Sequence, residues 1–448
     1  MLITLSLANS KMYKVYDLTV SFCLLLFSVS CGALNPTGSL EYQPSRLSMG
    51  PLTIGTWLPA GMNEFRFIDS DQELLVDLGV NSIQWIQRYS DENGTAEEQL
   101  MAFASGQGWH MPVYFEPSGW TAYDKLQNWA TKVELANQDS LRDLVQDLHR
   151  RWKDESAFSG YLVGHEDYNK NNYLALSSVV QAVSEVDPTY PSITVGRLQD
   201  YQDIQFFLEK FFDSAGDNNI FQHEHYVFRG DLPSKGSRFQ RRIDDLVSGY
   251  NQVMRGLEGR SGRWHAIVQV QSEERNGRVY YRKPSPSEIR MQVGLALSRG
   301  ASGIIYFLYS SGVEELADAG GNVKEVRVYE GIVDQLRMPT SSYFAIKQIN
   351  RDLAAIDSYL RDFHFHGALS SRKFLDNKYI LSITGTAEVG LLGDQEKVTH
   401  LLVVNRWAHK AQKILLKLRI IDDTGKPTAI PRAVEVSLAP GGFTLMPF

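Results

Sequence analysis

The segment that decides the fold spans residues 285–309 and reads SPSEIRMQVGLALSRGASGIIYFLY. Ser285 and Glu288 have the spacing of a capping box, in which a hydroxyl and a carboxylate bind the free N–H groups at the start of a helix. Gly300 suits the left-handed residue that ends a helix. The run Gly303–Tyr309 is almost continuously apolar, as in a parallel strand that is buried on both faces. The segment therefore predicts a helix followed at once by a buried strand.

The same alternation of strand and helix extends upstream to residue 52. The predicted strands are Leu52–Leu58, Ser82–Arg88, Met111–Glu116, Gly160–Gly164, Ser192–Arg197, Ile220–Tyr226, His265–Val270 and Gly303–Tyr309. Strand-and-helix units repeated in this way over about 300 residues predict a closed (β/α)8 TIM barrel over residues 52–356. The main alternative is an open doubly wound sheet, which usually carries a Gly-rich phosphate loop after its first strand. Residues 56–61, TWLPAG, do not form such a loop.

The pattern changes after residue 356, where helical periodicity stops. Strand-like runs follow at Tyr379–Thr384, His400–Asn405, Lys413–Ile421, Val434–Leu438 and Gly442–Phe448. Gly and Asp-Gly turns separate several of these runs, which is typical of antiparallel strands. We therefore predict that residues 357–448 form a small C-terminal antiparallel β-sandwich.

The N-terminal residues 1–30 have the features of a signal peptide of the lipoprotein type. Their apolar stretch, Leu18–Val29, is shorter than the roughly 20 residues that a membrane-spanning helix needs and suits an export signal. Small residues surround Cys31, which we predict to be lipidated, and residues 31–51 resemble a flexible tether. We expect a protein of the bacterial cell envelope, anchored to a membrane through Cys31. A plain secretion signal is the alternative.

Charge and cysteine content exclude several classes of protein. The chain carries 45 basic and 52 acidic residues, a net charge of −7, so it lacks the basic excess of a nucleic-acid-binding protein. Its two cysteines are Cys23, inside the signal, and Cys31. The exported body then has no internal disulfide and no cysteine metal site. We predict no cofactor and no metal.

Carboxylates and aromatic residues cluster after the predicted strands, at the end of a barrel where active sites lie. Glu166 follows strand four, Glu224 ends strand six, and Glu273 and Glu274 follow strand seven. Paired carboxylates among aromatic rings suit glycoside hydrolysis, because one carboxyl protonates the leaving oxygen while the other attacks or activates water. The remaining candidates, for substrate binding, are Trp85, Arg88, Glu116, Trp120, His165, Tyr168, His223, His225, Tyr226, Gln271 and Tyr309.

Two segments carry a resemblance to a known superfamily. Residues Arg282–Phe307 resemble the seventh helix and eighth strand of (β/α)8 glycoside hydrolases, especially clan A and β-galactosidase-like barrels. Residues Ser159–Glu166 are similar to their fourth strand, which ends in the acid/base glutamate. The resemblance implies that Glu166 is the acid/base and Glu273, after strand seven, the nucleophile. It also implies a carbohydrate substrate. We keep Glu274 and Glu224 as reserve catalytic carboxylates.

One position departs from the pattern of that superfamily. Its members normally have Asn before the acid/base glutamate, whereas this chain has His165. Two other functions therefore stay open. One is a carbohydrate-binding lipoprotein without catalytic activity. The other is a metal-dependent hydrolase that uses His223 and His225, because alternate strand residues face the same side and His is a common ligand.

Overall fold

The structure is a computed structural model that describes most of the chain from residue 47 onward. The described residues are 47–58, 67–85, 95–115, 138–166, 168–213, 218–317, 321–374, 377–419 and 431–448. The predicted signal peptide and Cys31 lie outside them. Among the described helices, none combines the length and the apolar character that crossing a bilayer requires.

Eight parallel strands form the predicted TIM barrel. They are β2 (Thr53–Trp57), β3 (Ser82–Gln84), β4 (Met111–Tyr114), β5 (Phe158–His165), β6 (Ser192–Gly196), β7 (Ile220–Glu224), β8 (Arg263–Gln269) and β11 (Gly303–Phe307). Their hydrogen-bonded order is β3-β2-β11-β8-β7-β6-β5-β4. A parallel bridge between Ser82 and His110 joins the two ends, with Ile83 N donating to His110 O at 3.0 Å. All eight predicted strands are confirmed.

Helices surround the barrel between successive strands. The described helices are α1 (Asp69–Leu78), α2 (Thr95–Gln107), α3 (Gln138–Trp152), α4 (Asn172–Val186), α5 (Ile204–Leu208), α6 (Ser237–Gly256), α7 (Pro286–Leu297) and α8 (Ser341–Leu360). The capping box of α7 is present: the Ser285 hydroxyl accepts from Glu288 N at 3.3 Å, and Glu288 accepts from Ser285 N at 2.8 Å. Gly300 has φ 78° and packs against Phe365.

The barrel has separate inner and outer cores. The inner core consists of Trp57, Leu162, Ile193, Val195, Ile220, Ile267 and Ile305, with Tyr114, Tyr226 and Phe307 packed on it. A larger core fills the space between strands and helices. Because side chains alternate along a strand, membership of one core or the other identifies which residues face the barrel interior.

The C-terminal region is the predicted β-sandwich. Its strands are β14 (His364–Ser370), β15 (Ile380–Thr384), β16 (Ala387–Gly393), β17 (Val398–Asn405), β18 (Gln412–Leu418), β19 (Arg432–Leu438) and β20 (Phe443–Pro447). A five-stranded sheet consists of β1 (Leu47–Ser48), β14, β16, β17 and β20 in that order. It faces a three-stranded sheet, β15-β18-β19, across a shared apolar core. The predicted boundary at residue 357 lies in the last turns of α8.

The end of the predicted tether is part of this sandwich. Strand β1 (Leu47–Ser48) pairs with β14, and Met49 N donates to Phe363 O at 3.0 Å. Met49 is buried. The prediction of a flexible tether through residue 51 is therefore wrong for its last residues, because they add a strand to an open sheet edge.

A second antiparallel sheet follows the last two barrel strands. It consists of β9 (Ser272–Arg275), β10 (Arg278–Tyr281), β12 (Gly312–Ala317) and β13 (Val323–Glu330), in the order β10-β9-β13-β12. The sequence-based strand prediction did not include these four strands. The sheet stands at the carboxyl end of the barrel strands, where it forms part of the rim of the candidate site.

Candidate active site

Glu166 stands at the end of β5 in an unusual backbone conformation. A bulge between Leu162 and Gly164 interrupts the pairing of β5 with β6, and Glu166 has a φ of 52°. Its N–H donates to Val195 O at 2.8 Å. A left-handed conformation costs a residue other than glycine about 1 kcal/mol or more, and such residues cluster at functional sites. The bulge and this conformation direct the side chains of His165 and Glu166 to the barrel mouth.

Glu224 ends β7 and faces the interior of the barrel. Ile220 belongs to the inner core, and side chains of every second residue share a face, so Glu224 and Tyr226 point inward with it. The side chains of Glu224 and Glu166 lie within hydrogen-bonding reach of each other. The two carboxyl groups converge from strands four and six at the carboxyl end of the barrel.

Burial raises the pKa of Glu224 well above its ordinary value. The charge of Glu166 and the hydrogen bond between the two carboxyls raise this pKa further, while the nearby Tyr226 hydroxyl lowers it. Two carboxylates this close cannot both ionise without strong repulsion. Burial and the neighbouring Glu166 therefore both favour the protonated form of Glu224, the less exposed of the two carboxyls.

Aromatic rings pack around the carboxyl pair. The ring of Tyr226 stacks on Phe307 with centroids 5.5 Å apart, and Tyr281 meets Tyr226 edge-on at 5.6 Å. On the other side, His165 packs against Trp57 with centroids 5.6 Å apart. These rings make the surroundings of the carboxyl pair largely apolar.

Tyr168 borders the pair from the loop that follows β5. Its ring is half-buried and meets Tyr201 edge-on at 5.3 Å. Burial raises the pKa of its hydroxyl, and the charges of Glu224 and Glu166 raise it further. The hydroxyl therefore stays protonated and is a hydrogen-bond donor beside the carboxyls.

Several buried polar atoms of inward-facing barrel residues have no hydrogen-bond partner among the described residues. They are Trp57 Nε1, Gln84 Oε1 and both amide atoms of Gln222. Gln222 lies two residues before Glu224, and its Cα partner in β6 is the inner-core residue Val195. Unsatisfied buried polar groups cost free energy, so these atoms are suited to bind water or ligand hydroxyls.

The structure corrects the positions predicted for two histidines. His223 and His225 lie on the outer face of β7, against α6, because Glu224 between them faces inward. The His223 ring lies 5.8 Å from the Tyr250 ring, and His225 Nε2 lies 3.6 Å from an Asp245 oxygen. Burial lowers the pKa of both histidines. Neither lines the site, and the described residues contain no group of three His, Cys, Asp or Glu that could hold a metal ion.

Tyr309 is also misplaced in the sequence-based prediction of substrate-binding residues. Its side chain is fully buried, and its hydroxyl donates to Asp71 at 3.0 Å. Asp71 in turn pairs with Arg337 at 2.9 Å. Tyr309 therefore joins α1 to the segment before α8 and does not reach the barrel mouth.

The carboxylates predicted after strand seven lie in the added sheet. Glu273, on β9, is 4% exposed and forms an ion pair with Arg275 at 2.5 Å. Glu274 is exposed on the same strand. The buried Gln271 accepts a hydrogen bond from Val270 N at 3.2 Å. Among the described carboxylates it is Glu224, and not Glu273, that contacts Glu166.

The carboxyl end of strand seven itself carries an amide. Gln269 is buried, and its Oε1 accepts from Phe228 N at 3.0 Å. Its Nε2 donates to Phe228 O and Arg282 O, at 3.3 and 3.2 Å. Gln269 thus fastens the loop after strand six to the barrel and is not available for chemistry.

The other predicted residues divide into two groups. Trp85 is half-buried and packs on the outer core at the end of β3. Arg88, Glu116 and Trp120 lie outside the described residues. Sequence reasoning missed Trp57, Gln222, Tyr281 and Phe307 as site residues. Alternation from Glu224 would have placed Gln222 in the interior, but nothing in the sequence showed that Tyr281 folds back over the barrel mouth.

Comparisons with known proteins agree with the fold. No family model and no curated protein matches the chain. Among solved structures, it is similar to a β-galactosidase from Bacillus circulans sp. alkalophilus, at 11% identity over 70% of this chain with a TM-score of 0.50. It spans 57% of the length of that β-galactosidase. It is also similar to a monomeric β-xylosidase from Caulobacter crescentus CB15, at 14% identity, covering 91% of this chain and 95% of that one, TM-score 0.45. The chain has the barrel fold of this β-galactosidase.

Proposed function

We propose that this protein is a glycoside hydrolase whose two catalytic carboxyl groups are Glu166 and Glu224. The observation that carries the proposal is their convergence at the carboxyl end of the barrel, within hydrogen-bonding reach and between aromatic rings. The named activities of the structurally similar β-galactosidase and β-xylosidase agree with this reaction class.

The elevated pKa of Glu224 supports an assignment of the two roles. Glu224 holds the proton, so it is the group that protonates the glycosidic oxygen as the bond to the sugar breaks. Glu166 is then the carboxylate that attacks the anomeric carbon. A water molecule, deprotonated by Glu224, hydrolyses the resulting glycosyl ester and restores both groups.

The close contact of the carboxyls favours a retaining reaction. Inverting pairs stand roughly 6.5–9.5 Å apart to admit a water molecule, whereas retaining pairs stand about 5–5.5 Å apart. Side chains that exchange a hydrogen bond are nearer to the second value. A substrate that enters between them has to break their hydrogen bond, and the glycosidic oxygen takes over the proton of Glu224.

The proposal is tested by sugar release from a panel of polysaccharides and oligosaccharides. We expect products from the wild-type protein and essentially none from Glu166→Gln or Glu224→Gln. Glu274→Gln is the matched control, since Glu274 is exposed on the same strand as Glu273, and Glu273→Gln tests the pairing predicted from the sequence. No products from any protein, with retained glycan binding, would leave a carbohydrate-binding protein as the function. Loss of activity in Glu273→Gln alone would restore the pairing of Glu166 with Glu273.

We also propose that the protein is anchored in the bacterial cell envelope through a lipid on Cys31. The support is the sequence of residues 1–31 alone. Metabolic labelling with a fatty acid tests it: the wild type should be labelled, and Cys31→Ser should not.

A further inference from the structure

A row of aromatic and guanidinium groups leads away from the carboxyl pair. It starts at Tyr226, whose ring meets Tyr281 at 5.6 Å, and continues to Arg229, whose guanidinium lies 5.5 Å from the Tyr281 ring. The same guanidinium lies 5.2 Å from Tyr280, and Arg275 covers the Tyr280 ring at 3.7 Å. We name this set the rim row; it consists of Tyr226, Tyr281, Arg229, Tyr280 and Arg275.

Backbone pairing holds the rim row in place. The loop after strand six and β10 are joined by an antiparallel bridge between Arg229 and Tyr281. Gly230 N donates to Tyr280 O at 3.0 Å, and Arg282 N donates to Phe228 O at 2.9 Å. Paired residues of an antiparallel bridge place their side chains on the same face. Arg229 and Tyr281 therefore face the same side, and Tyr281 connects them to the catalytic carboxyls.

The two arginines of the rim row differ in charge balance. Arg275 is neutralised by Glu273 at 2.5 Å. Arg229 pairs with no carboxylate among the described residues, and Asp231, which acts on it at longer range, is itself bonded to Arg238. Tyr280 forms a hydrogen bond with Arg229 that lowers the pKa of the Tyr280 hydroxyl, but this phenol is not a carboxylate that would neutralise the arginine. The rim row therefore has one uncompensated positive charge, at Arg229.

We propose that the rim row binds the substrate next to the cleaved bond and that Arg229 recognises an anionic group on it, so that the substrate is an acidic glycan. This inference rests on the proposed function. The planar guanidinium matches carboxylate and sulfate oxygens in a bidentate manner, and the half-buried Tyr281 ring lies between Arg229 and Tyr226, beside the carboxyl pair. The anionic group is a uronate carboxylate or a sulfate ester, since both have the chemistry that Arg229 selects.

The test measures binding by the full chain carrying Glu224→Gln, which binds without turnover. The uronate probes are oligogalacturonates and their methyl esters, and the sulfate probes are sulfated galactan oligosaccharides and their desulfated counterparts. We expect one charged series to bind about tenfold or more tightly than its neutral counterpart, as a charge-assisted hydrogen bond predicts. Which series does so identifies the anion.

Substitution of Arg229 then tests whether this residue causes the preference for the charged probe. Adding Arg229→Gln should abolish the preference for the charged probe and leave the affinity for the neutral one nearly unchanged. Arg255→Gln is the control for net charge, because Arg255 is exposed in the last turn of α6, at the opposite end of the barrel. Raising the salt concentration should weaken the charged complex only.

The outcomes separate this inference from the proposed function. Equal binding of charged and neutral probes, a preference that survives Arg229→Gln, or no binding of any charged probe overturns the inference. Hydrolysis of neutral glycans alone overturns the inference and keeps the proposed function. Selective binding of a charged series by a wild-type protein that cleaves nothing keeps the inference and overturns the proposed function.

Discussion

Without a proton on Glu224, the rate of glycosidic bond cleavage should fall most for substrates whose leaving group has to be protonated. Glu224→Gln keeps the size and hydrogen-bonding capacity of the side chain but cannot donate a proton to the glycosidic oxygen. General acid catalysis contributes about 10²–10⁴-fold to a rate, so we expect kcat on phenyl glycosides to fall by about 10³-fold. Dinitrophenolate leaves without protonation, so dinitrophenyl glycosides should lose much less of the rate of bond cleavage.

Stopped-flow measurement of the released phenols gives both rates for each variant. Glu166→Gln should lose activity on both glycosides, because attack on the anomeric carbon is needed for either leaving group. Equal losses in Glu224→Gln on the two glycosides would refute the role of Glu224 as the acid. A dependence on the leaving group in Glu166→Gln instead would show that the two roles are exchanged.

The pH profile provides an independent check on the same proton. The catalytic acid must be protonated, so wild-type kcat/KM should fall as the pH rises through the elevated pKa of Glu224. This alkaline limb should be absent from the profile of Glu224→Gln on dinitrophenyl glycosides. Its persistence would mean that another group holds the proton.

Three further predictions concern stability and are measured by urea denaturation. Because folding raises the pKa of Glu224, the wild type loses stability as the pH rises through that pKa. Glu224→Gln should therefore be more stable than the wild type at pH 8, by about 1.4 kcal/mol for each pH unit by which folding raises the pKa. The two proteins should be equally stable at pH 4. Glu388→Ala should cost about 3–5 kcal/mol, because Arg299 and Arg406, at most 2% exposed, each lose a buried carboxylate and only Arg406 keeps another, Asp244. Glu435→Ala in an exposed pair should cost under about 1 kcal/mol. Gly249→Ala should destabilise by about 1–3 kcal/mol, since its Cβ would stand 2.9 Å from His223 Nε2; a neutral effect would contradict the outward position of that histidine.

The barrel was predictable because its signals are local. Each parallel strand is a short apolar run, and helix starts such as Ser285 to Glu288 satisfy their own N–H groups within one turn. The four-stranded sheet was not predictable, because its strands are polar and partly exposed. Strand β9 reads SEER and is indistinguishable by composition from a charged loop. Only its pairing with β10 and β13 makes it a strand.

The site was harder to predict because both faces of a barrel strand are buried. In Ile220-Phe221-Gln222-His223, apolar and polar residues occupy each face, so hydrophobicity does not reveal which face is interior. A strand orientation that directs His223 and His225 into the cleft directs Glu224, which lies between them, away from it. A shift of one residue in the inferred orientation exchanges the whole set of side chains. Long-range packing, with Ile220 inside and Tyr250 against His223, decides the orientation.

The position of the second carboxylate follows from the geometry of the strands. Strand β6 alone separates β5 from β7, and two strand spacings of about 4.8 Å put their backbones roughly 10 Å apart. Two inward glutamates bridge such a gap and reach hydrogen-bonding contact, as Glu166 and Glu224 do. A carboxylate on strand seven would approach from one strand farther away. In this chain, Gln269 occupies that place and its amide holds the loop that carries Arg229. In the proposed function, strand six therefore supplies the second carboxyl group, and strand seven instead fixes the rim against which the glycan would bind.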